Sequence, residues 1–178
     1  MAFEIPVPFK RVFSFSSPTD ADTSNELSGV WFMTAETPPQ VGLSPLAPAP
    51  GGWSYEGWVV VQRASQSWPL SMGRFISGVG SDQSASFSGP LPGPGFPGED
   101  FLQNAPAGGP VLPLSFESGD RFMVTLEPNP DPAPSAPFPL AFLYSAAGLV
   151  PASLISFSLT SLPLGQRPRI VAVVGQEE

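Results

Sequence analysis

Apolar and polar residues alternate along much of this chain, and a period of two is typical of half-buried β-strands. The alternation is cleanest between residues 121 and 127. Its apolar positions are Phe122, Val124 and Leu126. We expect these three side chains to be buried together in a core, with Arg121 and Thr125 on the more exposed face of an antiparallel strand.

A β-hairpin is predicted at the centre of the chain. Residues 54–62 and 70–77 are rich in aromatic and β-branched side chains, which suit a pleated, half-buried surface. The polar connection between them, residues 63–69, ends in a proline. Tyr55 and Trp58 could stack on a sugar ring or on a proline-rich peptide. We expect packing between sheets instead, because alternation turns at least one of the two towards the core.

Further strands are predicted on both sides of this hairpin, and helical periodicity persists nowhere. They cover residues 3–9, 12–16, 29–36, 111–116, 140–145, 153–162 and 169–174. Residues 12–16 continue the run at 3–9, and a total of about eight strands at this spacing predicts an all-β fold, namely a single antiparallel, immunoglobulin-like β-sandwich with long loops rich in proline and glycine. A barrel is the alternative closure.

The strand pattern also predicts how the chain is divided. Residues 1–27 form an N-terminal arm, consisting of an extended edge strand and a loop. Residues 28–178 form the sandwich domain, and residues 78–109 are a long loop insertion within it. A loop of this length without regular structure is uncommon and is usually either functional or mobile.

The N-terminal arm begins with an apolar stripe. Its members are Phe3, Ile5, Val7 and Phe9. Because such a stripe is too apolar to lie free in water, it covers either its own sheet, as an edge strand, or the groove of a partner, by strand addition. Docking on its own sheet is the favoured case, and in the other case self-association or a protein partner is part of the function.

The composition narrows the function further. The net charge is −8 and only 12% of the 178 residues are charged, so we expect no nucleic-acid partner, because phosphate binding needs a basic patch. The chain has neither cysteine nor histidine, which excludes Ser-His-Asp triads, Cys-His pairs and typical zinc sites within a single chain. We predict no catalytic, cofactor-binding or metal-binding residue, no cofactor and no enzymatic activity.

Two acidic segments are weighed against this expectation. Glu99 and Asp100, with Asp82 and Asn104 nearby in sequence, could bind calcium through loop oxygens. No EF-hand spacing is present, so solvated loop charge is the plainer interpretation. A second segment has oxygen-bearing side chains at every other position between 127 and 131, separated by prolines, and a rigid polar loop accounts for it.

Residues 138–164 carry no charge and are long enough to cross a bilayer. Prolines interrupt this stretch, however, and apolar residues alternate with serine and threonine, so we predict strands and no transmembrane segment. The N-terminus lacks the continuous apolar region of a signal peptide.

Four short motifs resemble a known family. They are Tyr55-Glu56-Gly57-Trp58, Gly73-Arg74-Phe75, Val124-Thr125-Leu126-Glu127-Pro128, and a proline cluster at Pro132 and Pro134. Their order and spacing are similar to those of the C-terminal, extracytoplasmic β domain of anti-sigma-K factors, the RskA-like family. The resemblance covers roughly residues 53–145 and implies a β-sandwich that faces outside the cytoplasmic membrane.

The departures from this family limit what the resemblance implies. Its members bind a sigma factor through a helical N-terminal domain and carry a transmembrane helix, and this chain shows neither, so anti-sigma activity is not carried over. The expected function is a non-catalytic β-sandwich module for binding or envelope assembly. The alternative is a structural subunit of an extracellular filament or surface lattice that uses N-terminal strand exchange. The expected location is extracytoplasmic or extracellular, with the cytoplasm as the alternative.

Overall fold

The computed structural model describes residues 10–161, which form nine β-strands and one turn of 3-10 helix, Glu26–Ser28. The strands are β1 Lys10–Phe15, β2 Gly29–Trp31, β3 Leu43–Ser44, β4 Trp53–Arg63, β5 Gln66–Phe75, β6 Gly98–Asp100, β7 Arg121–Pro128, β8 Ala141–Ser145 and β9 Ser156–Ser161. The predicted all-β class is confirmed. Within the described residues, no helix is long and apolar enough to cross a membrane.

The strands form one antiparallel path in the order β5-β4-β7-β8-β9-β1-β2-β6, with β3 added beside β1. The pairing partner changes along β9. Residues 156–158 of this strand pair with β1, whereas residues 159–161 pair with β8. The sheet therefore folds into two layers, as predicted for a sandwich, and β9 lies at the corner between them.

Phenylalanine rings from both layers meet in the core. Phe122 of β7 lies 5.0 Å from Phe13 and 5.2 Å from Phe15, both of β1, measured between ring centroids. Phe116, just before β7, approaches Phe122 at 5.1 Å, nearly edge to face. The predicted burial of Phe122 and Val124 is confirmed, because both are fully buried.

The two faces of β7 differ less than the alternation predicts. Thr125, expected to be more exposed, is 0% exposed, whereas Leu126 is only partly buried. The outer face is covered because the segment after β7 folds back over it. Phe138 donates its backbone N–H to the Glu127 carboxylate over 2.9 Å, and the indole of Trp58 donates to the Thr125 hydroxyl over 3.0 Å. The prediction for Thr125 was therefore wrong.

The central hairpin is longer than predicted. Arg63 pairs with Gln66, so only Ala64 and Ser65 connect the strands. Pro69 lies inside β5, opposite Val60, although residues 63–69 were predicted to be a loop. Proline is tolerated there because β5 is at the end of the strand path and needs no N–H on its outer side.

The predicted strand at residues 111–116 is absent from the described structure. Pro110 and Pro113 bring no N–H to a ladder, which prevents regular pairing. The segment nevertheless buries Leu114 and Phe116, whose N–H groups donate to the carbonyls of Phe101 and Leu27. Its apolar residues therefore belong to the core without forming a strand.

Two segments of the predicted division contain strands of the sheet. Residues 10–15, which the sequence places in an N-terminal arm, form β1, and β1 pairs with β9 on one side and with β2 on the other. The predicted loop insertion at 78–109 contains β6, which pairs with β2. The apolar stripe at 3–9 and the predicted strand at 169–174 lie outside the described residues.

Candidate functional site

A cleft of about 420 Å³ lies where the loop after β5 crosses to β6. Thr19 and Trp31 form one wall, and the loop forms the rest of the lining. The loop residues are Ser81, Asp82, Gln83, Ser84, Ala85, Ser88, Gly89, Leu91, Pro92, Gly93, Pro94 and Gly98. Most of the functional groups in this lining are hydroxyls, an amide and backbone groups; the hydroxyls of Thr19 and Ser88 are buried, whereas Ser81 and Gln83 are exposed.

Asp82 joins the two ends of the strand path. Its Oδ2 accepts the N–H of Gly98 on β6 over 2.9 Å, and the next residue, Gln83, donates its N–H to the carbonyl of Arg74 on β5 over 2.8 Å. Burial raises the pKa of Asp82, and the N–H groups of Gly98 and Ser84 oppose that rise. The loop is therefore fastened to both edges of the sheet.

Gly73 of β5 makes room for Asp82. It has a φ of +93°, and a Cβ at this position would lie 2.3 Å from Oδ1 of Asp82. Glycine is needed here for both reasons, since other residues are strained at positive φ and any side chain would collide with the carboxylate.

Replacing Gly73 with alanine is expected to destabilise the protein more than the matched change Gly80→Ala. Gly80 also has a positive φ, +87°, but nothing lies within 4 Å of its added Cβ. Gly80→Ala should cost about 1–2 kcal/mol from backbone strain, and Gly73→Ala about 1–3 kcal/mol more from the clash. Urea unfolding of both variants measures the difference. Equal losses would show that Asp82 does not press against β5.

Asp100 organises the opposite wall of the cleft. It is 0% exposed and accepts the backbone N–H of Thr19 over 2.7 Å, its hydroxyl over 2.5 Å and the Trp31 indole N–H over 2.7 Å. Thr19 in turn accepts the N–H of Gly89 at its hydroxyl and that of Leu91 at its carbonyl. Burial raises the pKa of Asp100, and its bonds to Thr19 and Trp31 oppose this effect.

Glu99 lies behind the cleft. It is 0% exposed; its Oε1 accepts a short hydrogen bond from the Ser88 hydroxyl, and its Oε2 has no partner among the described residues. Burial raises the pKa of Glu99 to about 7. The negative charges of Asp82 and Asp100 also raise this pKa, whereas the hydrogen bond from Ser88 lowers it. Glu99 is thus a buried carboxyl with a pKa near neutral pH, and it is hydrogen-bonded to Ser88 of the cleft lining.

The interpretation of these acids as solvated loop charge was wrong, because Glu99 and Asp100 are fully buried. The structure brings Asp82 to them, as the sequence grouping suggested, but not Asn104. The Asn104 amide is exposed and donates to the carbonyl of Ser86. No local pattern marks this burial, since β6 has only three residues and its partners lie far away in the chain.

The second acidic segment is also more buried than predicted. Glu127 is fully buried, and Asp131 comes close to it together with Glu56 of β4. Asn129 is not part of this group; its backbone N–H donates to the carbonyl of Gly52. Nothing in the sequence paired Glu56 with Glu127 and Asp131, because Glu56 lies about 70 positions before them in the chain.

Comparison of the chain with protein-family models, with curated proteins and with solved structures finds no match. The resemblance to the β domain of anti-sigma-K factors therefore stays a prediction from short motifs. The first three of those motifs lie on β4, β5 and β7, which are neighbours in one layer.

Proposed function

We propose that this chain is a non-catalytic β-sandwich module whose ligand site is the cleft beside Thr19 and Trp31. The observation that carries the proposal is the hydrogen bonding of Asp100. Among the described residues, the hydrogen bonds that reach its side chain come from Thr19 and Trp31, two residues of the cleft wall, so this acid holds the wall in place. A wall fixed before the ligand arrives lowers the entropy lost on binding.

The lining selects the chemistry of the ligand. Among the described residues that line the cleft, Asp82 is the single charged side chain, and four hydroxyls and one amide accompany it. An anionic ligand would be repelled, because the charged side chain of the lining is a carboxylate and the chain has a net charge of −8. The ring of Trp31 is covered by Gly93, at which a Cβ would lie 2.7 Å from the indole, so ring stacking is not offered. A neutral ligand rich in hydroxyls, such as a saccharide, fits these groups best.

Blocking the cleft should abolish binding. The probe is an array of neutral oligosaccharides, followed by calorimetric titration of the best binder. Ala85 is exposed and lines the cleft, whereas Ala107 is exposed and does not. We expect Ala85→Trp to weaken binding by about tenfold or more, equivalent to about 1.4 kcal/mol, and Ala107→Trp to leave it unchanged. The proposal fails if no neutral saccharide binds, or if the two variants bind alike.

The location of the module is part of the same proposal. The resemblance to a domain that faces outside the cytoplasmic membrane supports an extracytoplasmic role, where saccharides of an envelope are within reach. The structural-subunit alternative depends on the stripe at residues 3–9, which lies outside the described residues, and it stays a prediction. Light scattering of the purified chain distinguishes a monomeric binding module from an assembling subunit.

A further inference from the structure

Three carboxylates from two segments converge on the outer face of β4 and β7. Glu56 belongs to β4, Glu127 to β7 and Asp131 to the loop that follows β7. One oxygen of each carboxylate lies within 4.8 Å of the others. Oxygens at this spacing can contact one ion, but a group of acids alone does not make a site.

The unpartnered oxygen of Glu127 is the second observation. Glu127 is 0% exposed, and its Oε1 accepts hydrogen bonds from the Thr125 hydroxyl and from the backbone N–H of Phe138. Its Oε2 is buried and has no hydrogen-bond partner within residues 10–161. A buried polar atom without a partner costs about 1–3 kcal/mol, and more when it is charged, so an oxygen left in this state points to a missing ligand.

The charges of the group are also unbalanced. Arg74 contacts Glu56 through Nε at 3.0 Å and contacts Asp131 through Nη2. Three carboxylates and one guanidinium leave two negative charges in a largely buried place. A divalent cation would balance the group.

We infer that Glu56, Glu127 and Asp131 bind a hard divalent cation, with calcium as the best match. The donors are all carboxylate oxygens, which hard cations prefer, and the chain has no histidine or cysteine for a softer metal. Calcium takes 6–8 oxygens in flexible geometry, and carboxylates that bind in a bidentate manner, together with water, can supply them. Arg74 is the most exposed member, with 22% of its side chain accessible, so an ion can enter on its side.

Calcium bound here would join β4, β7 and the loop that covers them, and its effect is independent of the proposed cleft. The two sites share no side chain. Strand β5 connects them: the side chains of Ser71 and Arg74 contact Glu56, while the carbonyl of Arg74 accepts the N–H of Gln83 and Gly73 lies against Asp82 in the cleft loop. Loss of saccharide binding in Ala85→Trp should therefore leave the calcium response intact.

The test compares thermal unfolding of the full chain in EDTA and in calcium chloride. At a calcium concentration about 100 times the dissociation constant, we expect the melting temperature to rise by about 5–10 °C, the shift that mass action gives for a chain of this size. Glu127→Gln keeps the acceptor for Phe138 but removes the charge, and we expect it to abolish the rise. Glu117→Gln is the matched control, because Glu117 is exposed and lies outside the group.

Terbium gives a second readout that does not depend on stability. The indole of Trp58 donates a hydrogen bond to Thr125, and the Thr125 hydroxyl donates one to Glu127. The indole therefore lies close enough to sensitise terbium luminescence at this site. We expect luminescence that calcium displaces and that Asp131→Asn, a change at the edge of the group, weakens tenfold or more. No calcium shift in the wild type, or an equal shift in Glu127→Gln, overturns the inference.

Discussion

Phe122→Ala is expected to destabilise the protein by about 3–5 kcal/mol, as the removal of a buried phenylalanine does elsewhere. The ring is fully buried and contacts Phe13, Phe15 and Phe116, so its loss leaves a cavity between the two layers that no single neighbour can fill. A loss of this size is a large part of the 5–15 kcal/mol that typically stabilises a domain. Denaturant unfolding followed by circular dichroism measures it.

Val111→Ala is the control for this change. Val111 is 86% exposed, so its truncation should alter the free energy of unfolding by no more than about 0.5 kcal/mol. If Phe122→Ala costs less than about 1 kcal/mol, the contact between β1 and β7 is not the centre of the core.

The second large effect is a loss of stability as the pH rises, caused by Glu99. Its pKa is about 7 in the folded protein and 4.5 as an unperturbed group. Below pH 4.5 the carboxyl is protonated in both states and costs nothing. Between pH 4.5 and 7 the unfolded chain releases the proton while the folded chain keeps it, so stability falls, and the loss is complete above pH 7. Its size is about 3 kcal/mol, at 1.36 kcal/mol per pKa unit.

Glu99→Gln separates this effect from other acids. Asp82, Asp100 and Glu56 also have raised pKa values, but they are present in both proteins, so the difference between wild type and variant reports Glu99. Glutamine retains an acceptor for the Ser88 hydroxyl. We expect the variant to gain about 3 kcal/mol on the wild type between pH 4 and pH 8. Parallel pH curves for the two proteins would show that Glu99 is ionised at little cost.

The local sequence pattern predicted those strands whose own residues have a clear strand-like pattern. β7 alternates apolar and polar residues and β4 is rich in β-branched and aromatic residues, and both strands appear where expected. The same pattern could not predict which faces would be covered. The pattern predicts that Thr125 faces solvent. Its burial depends on the proline-rich loop of residues 128–139, which folds back over β7.

The acids of the site could not be predicted for a related reason. Asp100 obtains its partners from Thr19 and Trp31, which are 81 and 69 positions away in the sequence. A carboxylate in a stretch of glycine and proline looks solvated until such distant donors are known. The grouping of Asp82 with Glu99 and Asp100 was right in the sequence, but their burial depends on the pairing of β6 with β2.

The corner strand β9 has a mechanical consequence. It gives residues 156–158 to one layer and 159–161 to the other, and within residues 10–161 it is the one strand that is hydrogen-bonded to both. Neither layer can separate without losing the hydrogen bonds of one half of β9, and the other half then loses its support. The two layers are therefore coupled in a single cooperative unit, and a weakening at β5 is transmitted across the corner to amide exchange in β2, which lies in the other layer.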